Sequence, residues 1–241
     1  MVSILPLDLK KIMPRIPRNL ILEEGLQTHK MWRGHNKEWN LSSPDEKSFY
    51  LRSLNKLLPN QSNILNAYTL MSNHSHENYD IKSKPEFYDI MRNHHSKYGM
   101  FFNKKHNREG RVAYDRPKTC LIESDEYSMR TTFYIHANPV KAGITKNAAN
   151  YKWSTHRLYA FGKRDEFNKY VKFPEWYMAL GKTPKLRQRA YRSLFDAYLR
   201  EQGLIKQDFL RKNFLGSYFW TNARVEKIKD QTRSKSKDPP N

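Results

Sequence analysis

"LMSNHSHENYD", residues 70–80, places His74 and His76 at alternate positions of a segment that reads as a β-strand. Successive side chains of a strand point to opposite faces, so the two imidazoles share one face and Ser75 takes the other. Just upstream, "NILNAYTLM" (63–71) reads as a second strand, with Ser72 and Asn73 forming the turn between them. The stretch is a hairpin whose return strand opens on a pair of histidines. Two readings of the pair stay open: polar residues on a solvated face, or ligands that grip one metal ion.

Working outward, "LQTHKMWRG" (26–34) reads as a first strand stopped at Gly34, and "LSSPDEKSFYLRSLNKLL" (41–58) as a helix. Ser43 is its N-cap, Pro44 its first helical residue, and Asp45 and Glu46 lie in its first turn. Phe49, Tyr50, Leu54, Leu57 and Leu58 recur at helical spacing. After the hairpin, "KPEFYDIMRNHHSKYGMFFNKK" (84–105) is a long helix with Phe87, Ile90, Met91, Tyr98 and Phe101 facing inward. A basic loop, "KKHNREGRVAYDRPK" (104–118), precedes a short strand, "KTCLIES" (118–124). The next helix starts where Ser124 can cap and Asp125 and Glu126 favour the positive helix end, and Pro139 is expected to stop it near Asn138. Strand, helix, hairpin, helix, strand, helix is the order of an α+β fold: an antiparallel sheet with helices packed on one face.

Beyond about residue 150 the texture changes. "TPKLRQRAYRSLFDAYLREQG" (183–203) is an amphipathic helix between Thr183 and Gly203, and "IKQDFLRKNFLG" (205–216) suggests another short one. The expected organisation is a basic arm at 1–20, a main domain at 21–162, a helical C-terminal extension at 163–220, and a polar basic tail at 221–241 that composition marks as disordered.

Composition narrows the partner. The 44 Lys and Arg against 24 Asp and Glu give a net charge of +20, which asks for a polyanion, nucleic acid before an anionic membrane surface. No apolar run is long enough to span a bilayer, and the N-terminus carries no signal-peptide pattern. The single cysteine, Cys120, excludes an intramolecular disulfide and a cysteine-rich zinc site; it reads as a small buried apolar residue in a reducing, cytoplasmic setting.

Chemistry enters with the helix after residue 124. Tyr134 and Asn138 are four residues apart and lie on one helical face. If that face packs beside the histidine strand, two imidazoles, a carboxamide and a phenol converge. His74, His76 and Asn138 are neutral donors, so a dication bound to them would keep its full charge for a phosphodiester. A tyrosine hydroxyl titrates at about 10 and needs such help to act as a nucleophile. Its attack on DNA exchanges one phosphate ester for another, so the strand can be rejoined without a nucleotide cofactor, in keeping with the lack of a Walker-type glycine loop. Each feature has a plainer reading: a chance His-x-His, a core tyrosine, a helix-terminating asparagine.

Several ordered motifs resemble the single-tyrosine HUH transposases, and most closely the REP-associated tyrosine transposases. They are "MPRIPR" (13–18), "THKMWRGHN" (28–36), "AYTLMSNHSHE" (67–77), "FNKKHNREGRVAYDRPKT" (102–119) and, most clearly, "YIHANPVKAGI" (134–144); the likeness fades beyond "YKWSTHRLYAFG" (151–162). The resemblance implies a ferredoxin-like fold, His74, His76 and Asn138 as metal ligands, and Tyr134 as the nucleophile that forms a 5′-phosphotyrosine. It implies magnesium or manganese as cofactor, and imidazole ligands favour manganese on chemical grounds. The implied partner is single-stranded DNA with short imperfect hairpins, REP-like palindromes, in a nucleoid-associated bacterial setting. No obligatory protein partner follows, and monomer and homodimer stay open. Ser75 departs from the family, which has a bulky apolar residue between the histidines; with Glu77 on the same side, a looser or hydrated core is expected beneath them.

DNA binding needs cations along the backbone and flat side chains for bases. Arg15 and Arg18 on the arm, and Lys104, Lys105, Arg108, Arg111, Arg116 and Lys118 on the loop, are the candidate contacts. His29, His94, His95, His106 and His136 read as structural or surface groups, and Tyr151, Trp153, Trp176 and Tyr177 as aromatic core. Three functions compete: a metal-dependent tyrosine transposase that cuts and rejoins hairpin-flanked single strands, a non-catalytic, domesticated sequence-specific DNA-binding relative, and a nuclease in which water attacks and Tyr134 only packs.

Overall fold

The computed structural model describes residues 16–113, 115–201 and 213–235. A short helix α1 (Arg18–Ile21) leads to β1 (Gln27–Arg33), α2 (Pro44–Leu57), the hairpin β2 (Ile64–Leu70) and β3 (His74–Asp80), then α3 (Lys84–Lys105), β4 (Lys118–Ile122) and α4 (Asp125–Lys141). With β5 (Phe214–Leu215), the described strands form one sheet of order β2-β3-β1-β4-β5, antiparallel except at its last pair. The fold is α+β, as the element order implies.

Local chemistry sets the helix starts. Ser43 and Glu46 close a capping box on α2: the Glu46 N–H donates to Ser43 Oγ and the Ser43 N–H to Glu46 Oε2 at 2.9 Å. Ser83 caps α3 in the same manner without the reciprocal bond.

Alternation along the strands sorts the core into two layers. Lys30, Trp32, Ser75, Glu77 and Tyr79 face α2 and α3, where Trp32, Tyr50, Tyr98 and Phe87 build an aromatic core. His29, His76 and Ala67 face the other way, towards α4. Thus α2 and α3 share one face, as expected, but the second face is covered too. There α4 lies against β2 and β3, and it is backed by α5 (His156–Phe161), α6 (Glu175–Ala179) and α7 (Pro184–Arg200). Phe133, Trp176, Tyr191 and Phe195 fill the space between.

Three expectations change. Pro139 does not end α4, which runs on to Lys141: the Ala142 N–H reaches the Asn138 carbonyl at 2.9 Å, and Gly143, at φ +70°, supplies the left-handed stop. The segment read as a short helix at 205–216 lies largely outside the described residues. Its visible end, Phe214–Leu215, is instead a strand, β5, pairing in parallel with β4 at Leu121 and Ile122. The tail from 221 is not disordered where it is described. Helix α8 (Tyr218–Lys235) packs Trp220, Val225 and Ile228 on the core and pairs Arg224 with Glu23. A few apolar residues in register outweigh a polar average. Among the described residues, no helix is long and apolar enough to cross a membrane.

Candidate metal centre and nucleic-acid interface

The strand β3 delivers both histidines to the face covered by α4. Their rings stand 4.9 Å apart in an edge-on arrangement. The Tyr134 ring lies edge-on to His76 at 5.4 Å, and edge-on to a third imidazole, His29 of β1, at 5.9 Å. His29 itself stacks on His76 with centroids 5.1 Å apart, and its Nε2 is 2.9 Å from His76 Nδ1. Asn138 follows one turn after Tyr134 and donates its Nδ2 to the Tyr134 carbonyl at 2.7 Å. Three imidazoles and the Tyr134 ring therefore gather on one face, and the Asn138 carboxamide lies one helical turn beyond the tyrosine.

The hydrogen bonds around the rings decide which nitrogens can bind a cation. Asn73 Oδ1 is 2.6 Å from His74 Nδ1, while the Asn73 amide nitrogen donates to the Lys37 carbonyl. An amide oxygen can only accept, so His74 carries its proton on Nδ1 and keeps a lone pair on Nε2. When His76 Nδ1 donates to His29, His76 likewise keeps a bare Nε2. Burial lowers the pKa of His29 and His74 to about 4, aided at His74 by the Arg33 charge. His76 is pushed well below the ordinary range by burial and then by the neighbouring His74. Neutral imidazoles are the form that binds metal. The donors thus suit a divalent cation. Among the described residues no three His, Cys, Asp or Glu side chains are arranged to hold a metal ion.

Tyr134 is 5% exposed. Burial raises its pKa, and a side-chain hydrogen bond with Asn138 pulls it back. Lys141 places its Nζ 5.0 Å from the Tyr134 ring centre and 5.2 Å from that of Tyr198 on α7, and donates to the Tyr198 hydroxyl at 3.3 Å. The sequence held a clue to Lys141, which continues the helical face of Tyr134 and Asn138 by one more turn. In the sequence His29 reads as a structural or surface group: it sits two residues before Met31, whose partner across the ladder is His76, and that register belongs to the folded sheet.

Beneath the histidines, on the α2 side, the core is closely bonded and not loose. Lys30 Nζ donates to both Glu77 oxygens at 2.8 and 2.9 Å, with both side chains fully buried. Tyr50 and Tyr79 hydroxyls lie 2.7 and 2.6 Å from the Glu77 carboxylate, and Ser75 Oγ is 2.9 Å from Glu77 Oε1 and 2.8 Å from the Tyr50 hydroxyl. Burial opposes ionisation of Glu77, but the Lys30 charge and these donors hold its pKa at about 2. A small Ser75 is what this polar cluster needs; a bulky apolar residue would displace it.

The basic candidates divide by their partners. Arg15 lies outside the described residues. Arg18 donates to the Pro117 carbonyl at 2.7 Å and Arg116 to the Ile16 carbonyl at 2.6 Å, so these two lace the arm to the loop. Lys105 pairs with Asp45 and Glu46, and Arg108 with Glu38 at 2.7 Å. Lys104, Arg111 and Lys118 are exposed. His136, as expected, turns away from the site, to Tyr191 and Thr155. His94 is buried and His95 half-buried behind the opposite sheet face.

No known family model and no curated protein matches this chain. Among solved structures, one described as a REP-associated tyrosine transposase bound to a REP hairpin is similar at 18% identity and a TM-score of 0.47, covering 59% of this chain and 84% of that one.

Proposed function

We propose that this protein is a metal-dependent DNA strand transferase that cuts and rejoins hairpin-flanked single-stranded DNA through Tyr134. The observation that carries the reading is the edge-on contact of the Tyr134 ring with His76 at 5.4 Å, with His74 4.9 Å from His76 and Asn138 one helical turn after Tyr134. The net charge of +20 supplies the attraction for DNA.

In this reading Tyr134 Oη attacks a backbone phosphorus. The bond from phosphorus to the 3′ oxygen breaks, that oxygen takes up the proton lost by the phenol, and the 5′ phosphate stays esterified to Tyr134. Return attack by a 3′ hydroxyl reverses the exchange and needs no nucleotide cofactor. His74 and His76, through their Nε2 atoms, and Asn138, through its amide oxygen, would hold magnesium or manganese, which supplies charge to polarise the phosphate. Asn138 also ties the nucleophile's turn to the ligand set through its bond to the Tyr134 carbonyl. His29 fixes the orientation of His76 from behind.

The test is incubation with end-labelled hairpin DNA and manganese, followed by a denaturing gel. A covalent protein–DNA band that vanishes in Tyr134→Phe, with hairpin binding retained, supports strand transfer. Cleavage by the Phe variant would instead indicate water attack. Binding without cleavage would indicate the non-catalytic DNA-binding protein, a second reading favoured by the burial of Tyr134 at 5% exposure.

A further inference from the structure

Trp39 is 71% exposed, whereas Trp32, Trp153 and Trp176 are buried in the two cores. A single exposed apolar residue is ordinary on a protein surface. What sets Trp39 apart is the segment that carries it. The loop from Gly34 to Leu41 is fastened on two sides. Towards the β2–β3 turn, the Gly34 N–H donates to the Asn73 carbonyl and the Leu41 N–H to the Ser72 carbonyl, both at 2.9 Å. Towards the basic loop, the His35 N–H and the Asn40 side chain both reach the Val112 carbonyl, and Glu38 pairs with Arg108. Asn40 and Leu41, next in the chain, are fully buried. A Cβ at Gly34 would stand 2.5 Å from the Glu38 carbonyl oxygen, so the loop closes tightly on itself. The indole is held out on a rigid support, which lowers the entropy lost when a ligand stacks on it.

The surroundings are cationic. Arg33 and Lys37, on the same segment, are exposed, and the one acidic neighbour in the loop, Glu38, is neutralised by Arg108. The segment is also continuous with the candidate centre. Arg33 is the cross-strand partner of His74 and shares its sheet face, and its charge acts on both His74 and His76. The turn that begins β3 at His74 is the same turn that holds the loop.

We infer that Trp39 is a stacking platform for an unpaired base of the DNA strand next to the reacting phosphate, with Arg33 and Lys37 on the intervening backbone. This rests on the DNA reading above and names where the single strand leaves the centre. A flat apolar side chain among cations suits a ligand that is polyanionic and carries exposed π-faces, which is a single strand. A duplex offers only base edges, so the platform discriminates paired from unpaired flanks.

The test compares affinities for one hairpin carrying either a normal single-stranded tail or a tail of abasic nucleotides, read by fluorescence anisotropy. Wild type is expected to favour the normal tail by about tenfold, the effect of one stacked base. Trp39→Ala is expected to bind both alike, at the abasic level, and Trp39→Phe to keep part of the preference. Thermal midpoints should not move, because the indole packs on little. If Trp39→Ala keeps the wild-type preference, the platform is refuted while DNA binding stands. If it weakens both tails equally, Trp39 belongs to a general surface and the inference also fails. Wild type that binds neither hairpin overturns the DNA reading and this one with it. A wild-type dimer that Trp39→Ala converts to monomer would assign the indole to a second copy of the chain instead.

Discussion

His29 Nε2 stands 2.9 Å from His76 Nδ1 in the buried layer between β1, β3 and α4. The pair works only one way for a ligand. If His76 donates, its Nε2 is bare; if His29 donates, the proton of His76 moves to Nε2 and blocks it. His29→Ala is therefore expected to lower manganese affinity of the DNA-free protein by about 10- to 100-fold, as loss of such partners does elsewhere. His29→Gln, whose amide oxygen can accept the same proton, should recover part of it. Calorimetric titration with manganese chloride measures both, and equal affinity in all three proteins would remove His29 from the centre.

The buried pair Lys30–Glu77 behind that strand makes a prediction about stability. Removing one partner leaves the other charged in the core without compensation. Lys30→Met should cost about 3–5 kcal/mol in urea unfolding, as broken buried pairs do. The double variant Lys30→Met with Glu77→Leu should regain much of that loss, although the Tyr50 and Tyr79 hydroxyls then lose their acceptor. If the single variant unfolds like wild type, the pair is energetically idle.

Much of this arrangement was legible beforehand. Alternation placed His74 and His76 on one face, the Ser43-Pro44-Asp45-Glu46 start fixed α2, and the Tyr134–Asn138 spacing fixed one helical face. What escaped was tertiary. Lys30 lies within the strand segment "THKMWR", and nothing local singles it out, because its partner Glu77 is far along the chain. His29 could be matched to His76 only once the register of β1 on β3 was known. The tail at 221 read as disordered because its average is polar, yet Ile228 is 3% exposed in α8. Pro139 read as a stop because a proline ring opposes the preceding turn, and the bonds beyond it could not be foreseen.

Glu46 gives the acid limb. Burial alone would raise its pKa, but the Ser43 N–H, His106 and Lys105 hold it at about 2 against an ordinary 4.5. The unfolded chain therefore takes up the proton first as pH falls. Stability from this carboxylate is complete above about 4.5 and is lost as pH drops towards 2. Glu46→Gln should be less stable at neutral pH and lose less between those values. Urea midpoints at pH 7, 4.5 and about 2.5 check this; parallel curves for the two proteins would refute it.

Finally, the basic residues should separate by salt. Those already bonded within the protein, Arg18 to the Pro117 carbonyl and Arg116 to the Ile16 carbonyl, hold the arm to the loop. Arg111 and Lys104 are exposed. Binding of single-stranded DNA should weaken linearly on a log–log plot as salt rises, because each neutralised phosphate releases counterions. Arg111→Ala and Lys104→Ala should each make that slope shallower by about 0.7. Arg18→Ala and Arg116→Ala should leave the slope nearly as it was and lower the thermal midpoint instead. The opposite pattern, with the laced arginines setting the slope, would mean that those carbonyl bonds open when DNA arrives and that the arm itself grips the strand.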